Sequence, residues 1–390
     1  MTAARAANPG GAGLRVALVA SSYSYIKDGV ALTLNRLVGW LGARGVEVLV
    51  FAPVGDAPAF AHQGTLVAVP SVALPARPEY RFALGLGREG VRRLRAFGPD
   101  LVHIALSPDL LGWAALRLAR RMNVPVVASY HTRFETYLEH YWYASALTGV
   151  LKSYLRHCYG SAREVYVPSQ SMLDALLGDG FRNNMRLWPR GVDAERFDPA
   201  KRSLAWRRSR GFADGEVVVA FVSRLVREKQ LETLAAALRV LNSRGIAHRG
   251  LVVGDGPERA RLERELPDAV FTGFLDGEEL ATACASADVF VFPSETETFG
   301  SVTLEAMASG LPCVCADATG SRSLVVDGKT GFLATPRDAE AFADAIARLV
   351  RDGGLRRMMG QAARARALSF SWDAAMERLL GYYGAVLERP

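Results

Sequence analysis

Short apolar runs alternate with amphipathic stretches along most of the chain. The first run, LRVALVA at residues 14–20, is rich in Val and Leu and suits a strand covered on both faces. A helical stretch follows (GVALTLNRLVGWLGARG), then a second apolar run (VEVLVFAP). The order returns at DLVHIAL, at a helix around LLGWAALRLARRM and at VPVVASY. Such alternation predicts an α/β protein with parallel sheet and helices on both faces. After Arg190 the pattern restarts with EVVVAFVS, LETLAAALRVL, RGLVVGDG, AVFTGF, GEELATACASA and DVFVFP. A helix from about Ser301, the runs LPCVCA and GFLAT, and two closing helices complete it. The segment WPRGVDAERFDPAKR, rich in Pro, Gly and charge, reads as a domain boundary. The expected organisation is a disordered arm at 1–13, a first domain at 14–190, a linker at 191–205 and a second domain at 206–371.

Size agrees with two domains. The chain has 390 residues, 50% of them hydrophobic, which is more than one core usually sustains. Charge is uneven: residues 1–200 hold 22 Lys+Arg against 15 Asp+Glu, and residues 201–390 hold 25 against 25. The basic excess therefore lies in the first half, which suits either plain solubility or an anionic partner such as a membrane leaflet. Cys158, Cys284, Cys313 and Cys315 are too few for a disulfide scaffold and read as small core residues. The first residues carry no apolar stretch long enough for a secretion signal, and no run of about twenty apolar residues exists to span a membrane. The cytoplasm is the expected compartment.

In open parallel sheets, ligands sit beyond the carboxyl ends of the strands, so the residues that follow each run are the candidates. After VVVAFVS come Arg224 and Lys229, in SRLVREK. Two permanent cations there suit a pyrophosphate, or else form a surface pair with Glu228 or Glu232. Gly254-Asp255-Gly256 lacks a third glycine at the right distance, so it marks a tight turn and gives no support to a nicotinamide enzyme. After DVFVFP comes SETETFGSVTLEAMASG, which places Glu297 just before a helix and Glu305 a turn or so into it. The first amides of that helix are free to hold a phosphate. Carboxylates accept hydrogen bonds only and suit hydroxyls. The spacing fits a ligand with a charged middle and a hydroxylated unit at each end, a nucleotide sugar. It also fits a capped helix with an acid favouring its own dipole.

Taken together, the pair Glu297/Glu305, SRLVREK, GDGPER, FTGFL and EAMASGLPCV…DGKTGFL resemble the family-4 glycosyltransferases of the GT-B fold. SYHT at 129–132 and RGVD at 190–193 extend the likeness into the first half. The resemblance implies two facing Rossmann-like domains, with a final helix at 372–390 crossing back to the first. It implies retaining transfer of a sugar from a nucleoside diphosphate. Arg224 and Lys229 would hold the diphosphate and Glu305 the ribose. Glu297 would hold the transferred sugar, helped by the amides of Phe299, Gly300 and Ser301. Phe274 would line the base, Gly254 would lie in the donor site, and His131 would sit over the sugar and the leaving oxygen. No Asp-x-Asp occurs, and two cations with a helix N-terminus suffice for the leaving group. No metal and no cofactor are expected.

The acceptor side of this fold is the first domain, which carries the basic excess. The stretch YRFALGLGREGVRRLRAF places Arg88, Arg92 and Arg95 on one helical face beside Leu84, Val91 and Leu94. That face suits anionic lipid or plain solvent. HYWYASALTGVLKSYLRHCYG, with Trp142, is aromatic and basic together and suits a membrane interface or an interdomain surface. A lipid or glycolipid acceptor at the inner leaflet is the expected partner, in the manner of members that mannosylate glycolipids or make sulfoquinovosyl or glucuronosyl lipids. A soluble acceptor, or a non-catalytic nucleotide-sugar-binding role, is the alternative. Nucleic acid is not expected. Two departures stand out. Only Asp28-Gly29 stands where many members have a Gly-Gly loop, so Gly29 is the candidate phosphate or acceptor contact. Thr319-Gly320-Ser321-Arg322-Ser323 replaces Gly-Gly-x-x-Glu, which leaves Arg322 either to address an acidic sugar or to lie exposed.

Overall fold

The computed structural model of the chain describes residues 13–74, 77–133, 148–181 and 184–389. The chain divides into two compact units, Met1–Pro189 with Asp373–Pro390, and Arg190–Trp372.

In the first unit, the strands are β1 (Arg15–Ala20), β2 (Glu47–Ala52), β3 (Thr65–Ala68), β4 (Ser71–Leu74), β5 (Arg77–Ala83), β6 (Leu101–Ala105), β7 (Val126–Ser129), β8 (Glu164–Val167) and β9 (Met185–Leu187). Among the described residues they form one sheet in the order β3-β2-β1-β6-β7-β8-β9, with β4 and β5 pairing separately. Every pairing in the larger sheet is parallel. The unbroken apolar runs follow from this, since β6, β7 and β8 are buried at every position. The helix Gly29–Gly42 buries Ala31, Leu34, Leu37, Val38 and Leu41, a helical stripe facing the sheet. The last helix, Trp372–Leu387, buries Met376, Leu379, Tyr383 and Val386. It is tied to the first unit by Trp40 Nε1 donating to Asp373 Oδ1 at 2.8 Å and by Arg163 Nη1 donating to the Val386 carbonyl at 3.2 Å.

The second unit contains β10 (Val218–Val222), β11 (Arg249–Val253), β12 (Val270–Gly273), β13 (Val289–Phe292), β14 (Cys313–Ala316) and β15 (Gly331–Ala334). Their order is β12-β11-β10-β13-β14-β15, again parallel throughout. The strand order reverses between β10 and β13, so the loops that follow these two neighbours define the sheet's switch point. Cys313 and Cys315 are buried in β14, and all four cysteines are free and buried.

Residues 191–205, expected as a linker, are part of this unit's core. Val192 and Phe197 are buried in its apolar cluster. Arg364 donates to the carbonyls of Phe197 and Ala194 and to Asp198, the last two at 3.0 and 2.7 Å. Pro, Gly and charge marked irregular backbone here, while the two apolar anchors decide where that backbone packs.

The basic helix is also different from the membrane-facing reading. It spans Gly87–Phe97. Arg88, Arg92 and Arg95 are exposed, but Leu94 is buried and Val91 packs against the first unit's core. Arg92 is held by Glu89 at 2.6 and 2.9 Å. Of the apolar trio only Leu84 lies open, at 50% exposure. Trp142 lies outside the described residues.

Candidate active site

The second sheet places the predicted cation and acid side by side. Beyond β10 the chain makes a short 3-10 turn over Arg227–Lys229, and Lys229 N donates to the Val226 carbonyl at 3.0 Å. Beyond β13 it runs through Ser294 to Glu297. Because β10 and β13 are neighbours, Lys229 meets Glu297 across the switch point, Nζ donating to Oε1. The side chains are 10% and 20% exposed. Ser294 Oγ donates to the same carboxylate oxygen at 3.3 Å, and Thr319 Oγ1 donates to the Glu297 carbonyl at 3.0 Å. Lys229 also sits 5.7 Å from the centre of the Phe292 ring. Burial pushes the Glu297 carboxyl up, but Lys229, Ser294 and Arg190 outweigh it and hold the group below the usual carboxylate range. An ionised pair at the mouth of a parallel sheet presents both a cation for phosphate and an acceptor for hydroxyls.

The helix Ser301–Ala308 begins beside this pair. Gly300 is its N-cap, at φ +93, and so has no side chain to cap it. The first amides are left as the positive end of the helix dipole. In the same turn Thr303 Oγ1 is buried and has no hydrogen-bond partner among the described residues. Phe299 is itself core, 2% exposed and edge-on to Phe370 at 5.9 Å, so only its backbone is on offer. Glu305 lies one turn further in. Burial pushes its carboxyl up to about 7; Arg196 draws it down and Asp193 adds to the rise.

Other predicted residues are placed as follows. Arg224 is exposed just beyond β10. Phe274 follows β12 and is 67% exposed. Gly254 follows β11, where its backbone presses on Ser223. Gly29 opens a helix whose amides at Val30 and Ala31 are taken by Asp28 Oδ1 at 3.0 and 2.8 Å. Arg322 is gripped by Asp317, through Nε at 2.5 Å and Nη2 at 3.0 Å. It is therefore neutralised where it stands. His131 follows β7 in the first unit and is buried, its ring 5.8 Å from that of Trp188.

The structure adds residues that were not singled out. Arg190 Nη1 donates to Ser301 Oγ at 3.4 Å and helps to hold Glu297 ionised. Asp193 and Arg196 set the electrostatic surroundings of Glu305. The RGVD segment was the signal for Arg190 and Asp193; Arg196 lies just beyond it.

Comparison with known proteins places the chain in a family. Residues 27–196 match the family described as Glycosyltransferase Family 4, and residues 203–366 match Glycosyl transferases group 1. A GDP-mannose-dependent alpha-mannosyltransferase of Mycobacterium tuberculosis (strain CDC 1551 / Oshkosh) is 39% identical over 383 residues, covering 97% of this chain and 98% of its own. The sulfoquinovosyl transferase SQD2 of Arabidopsis thaliana is 35% identical over 368 residues, covering 92% of this chain and 71% of its own. Among solved structures, sucrose-phosphate synthase from Thermosynechococcus elongatus superposes with a TM-score of 0.79 at 24% identity, covering 97% of this chain and all of its own. The chain belongs to the family-4 glycosyltransferases and has their GT-B fold.

Proposed function

We propose that this enzyme transfers mannose from GDP-mannose to a membrane lipid or glycolipid acceptor, with retention of configuration and without a metal. The observation that carries the reading is the largely buried Lys229–Glu297 pair beside the uncapped helix at Gly300. In this reading Lys229, Arg224 and the first helical amides take the negative charge that develops on the departing diphosphate. Glu297 accepts hydrogen bonds from the transferred sugar, and His131 donates one to it. The departing phosphate oxygen receives the acceptor's proton. The names of the relatives support the donor: three GDP-mannose-dependent mannosyltransferases share 35–39% identity over nearly the whole chain. A sulfoquinovosyl or glucuronosyl donor is less well served, because Arg322, the cation nearest the departed motif, is already spent on Asp317. The acceptor side rests on the basic first half and on the lipid in the name of one relative, an alpha-monoglucosyldiacylglycerol synthase of Streptococcus pneumoniae (strain ATCC BAA-255 / R6). No helix among the described residues is long and apolar enough to cross a membrane.

The test is a thermal-shift panel of GDP, GDP-mannose, UDP-glucuronate and UDP-sulfoquinovose. At a hundredfold excess over Kd the right donor stabilises by about 2.7 kcal/mol. GDP-mannose is expected to raise Tm most, and a shift with the uridine donors alone would overturn the assignment. Anionic vesicles added to the same samples should carry the protein down on sedimentation at low salt and release it at high salt.

Glu305 makes the donor site pH-sensitive. Its raised pKa, about 7, means that the carboxyl is protonated below that pH and ionised above it. Ribose hydroxyls donate more strongly to the ionised form, so donor affinity rises as pH increases through this range. Titration calorimetry from about pH 6 to about pH 8 should show a gain of roughly fivefold, the difference between a charged and a neutral hydrogen bond. Glu305→Gln should flatten the profile; a flat wild-type profile would remove Glu305 from the ribose.

A further inference from the structure

His131 does not stand alone at the end of β7. Its Nε2 is 2.8 Å from Ser129 Oγ, and Ser129 Oγ is 2.8 Å from His103 Nε2. His103 Nδ1 in turn is 2.5 Å from Tyr383 Oη on the last helix. Ser129, His103 and Tyr383 are fully buried, and His131 nearly so. The Trp188 ring packs edgewise on both imidazoles, at 6.0 and 5.8 Å between centres, which fixes their planes.

Such a chain can be ordered in two directions, and its far end decides between them. Among the described residues, Tyr383 Oη has His103 Nδ1 as its one hydrogen-bond partner. Burial pushes the phenol up, so it keeps its proton at any working pH. A buried hydroxyl with one acceptor within reach gives its proton to that acceptor. His103 therefore accepts at Nδ1 and carries its own proton at Nε2. Burial holds this imidazole neutral, pushed down to about 3, so no second proton blurs the direction. His103 Nε2–H then donates to Ser129, and the single proton of Ser129 is left for His131 Nε2.

We propose that Tyr383, His103 and Ser129 are positioning residues that order the proton of His131 onto Nδ1, making it a hydrogen-bond donor to its ligand and not a base. The opposite direction would turn every donor round and leave the Tyr383 hydroxyl proton with nowhere to go. The role of the tautomer in transfer rests on the proposed reaction, but the ordering itself does not. The chain also gives the last helix a task at the site: it supplies the proton from which the order starts.

The experiment is imidazole nitrogen NMR of the full-length protein without ligand, paired with transfer kinetics. The wild type is expected to show a protonated Nδ1 and an accepting Nε2 at His131, with the reverse at His103. Tyr383→Phe removes one oxygen and should mix the tautomers of both histidines. Ser129→Ala cuts the chain in its middle, so it should free His131 alone and leave the His103 tautomer in place. In the proposed reaction, Tyr383→Phe should lower kcat roughly fivefold, the effect of one net hydrogen bond, with little change in donor KM. An Nε2–H or doubly protonated His131 in the wild type overturns the ordering, as do unchanged resonances in both variants. Shifted resonances with unchanged turnover uphold the ordering and count against the role given to His131 in transfer.

Discussion

Lys229→Ala is expected to lower transfer from the sugar nucleotide by roughly a thousandfold, the upper range for removal of one preorganised charge at a transition state. Two losses combine. The cation that the proposed reaction sets against the departing diphosphate is gone, and Glu297 is left as a mostly buried carboxylate without its principal partner. Burial is then opposed by Ser294 and Arg190 alone, so the Glu297 carboxyl moves up from its lowered position. The variant also loses about 2 kcal/mol of stability, less than a fully buried pair would, because water still reaches both groups. Stability and chemistry are separable. Lys229→Ala combined with Glu297→Gln removes the stranded charge and should refold to near the wild-type midpoint while remaining inactive. Lys229→Arg keeps the charge but brings a planar fork to a site built for a point charge, and should retain a few per cent of the rate. Near-normal transfer by Lys229→Ala, or recovery of activity in the double variant, would remove the pair from the reaction.

Lys229 and Glu297 were each legible as candidates because they lie in loops that follow strands, and strand ends converge in a parallel sheet; that they bond each other was not, since the sequence offered Glu228 or Glu232 as partners of the lysine. The sheets themselves were readable for a related reason: strands buried on both faces leave unbroken apolar runs such as VVAFV at β10, VFVF at β13 and CVCA at β14. What could not be read depends on distance along the chain. Arg190 reaches Ser301 over 111 positions, and Tyr383 reaches His103 over 280. No local period records such contacts. The helix Gly87–Phe97 was ambiguous for a different reason. An amphipathic helix has the same pattern whether its apolar stripe meets a bilayer or its own core, and here Val91 and Leu94 meet the core. Arg322 was ambiguous because a guanidinium shows its partner only in three dimensions, and that partner is Asp317.

Gly254→Ala should destabilise the second unit by about 3 kcal/mol or more, whereas Gly245→Ala, also at positive φ, should cost only about 1 kcal/mol. The two glycines separate two kinds of strain. Gly245 has φ +64 after the helix Leu231–Ser243, and an added Cβ would meet nothing within 4 Å. Its alanine variant suffers the left-handed backbone alone. Gly254 has φ +133, and there an added Cβ would lie 1.9 Å from the Ser223 carbonyl oxygen. That contact cannot be relieved by rotating a side chain, because a Cβ is fixed by its own backbone and the atom it meets is a backbone carbonyl. Nor is the backbone free to move: Ser223 N donates to the Val253 carbonyl at 3.0 Å, and Leu225 N donates to the Asp255 carbonyl at 2.8 Å. These bonds lace the loop after β10 to the loop after β11. Opening them shifts the segment that carries Arg224 and Lys229, so the folded fraction of Gly254→Ala should also lose activity, and Gly245→Ala should not. Urea midpoints and transfer rates measured on both variants decide the matter. Equal destabilisation would mean that the close approach at Ser223 has no energetic weight, and full activity in folded Gly254→Ala would mean that Lys229 is positioned independently of that lacing.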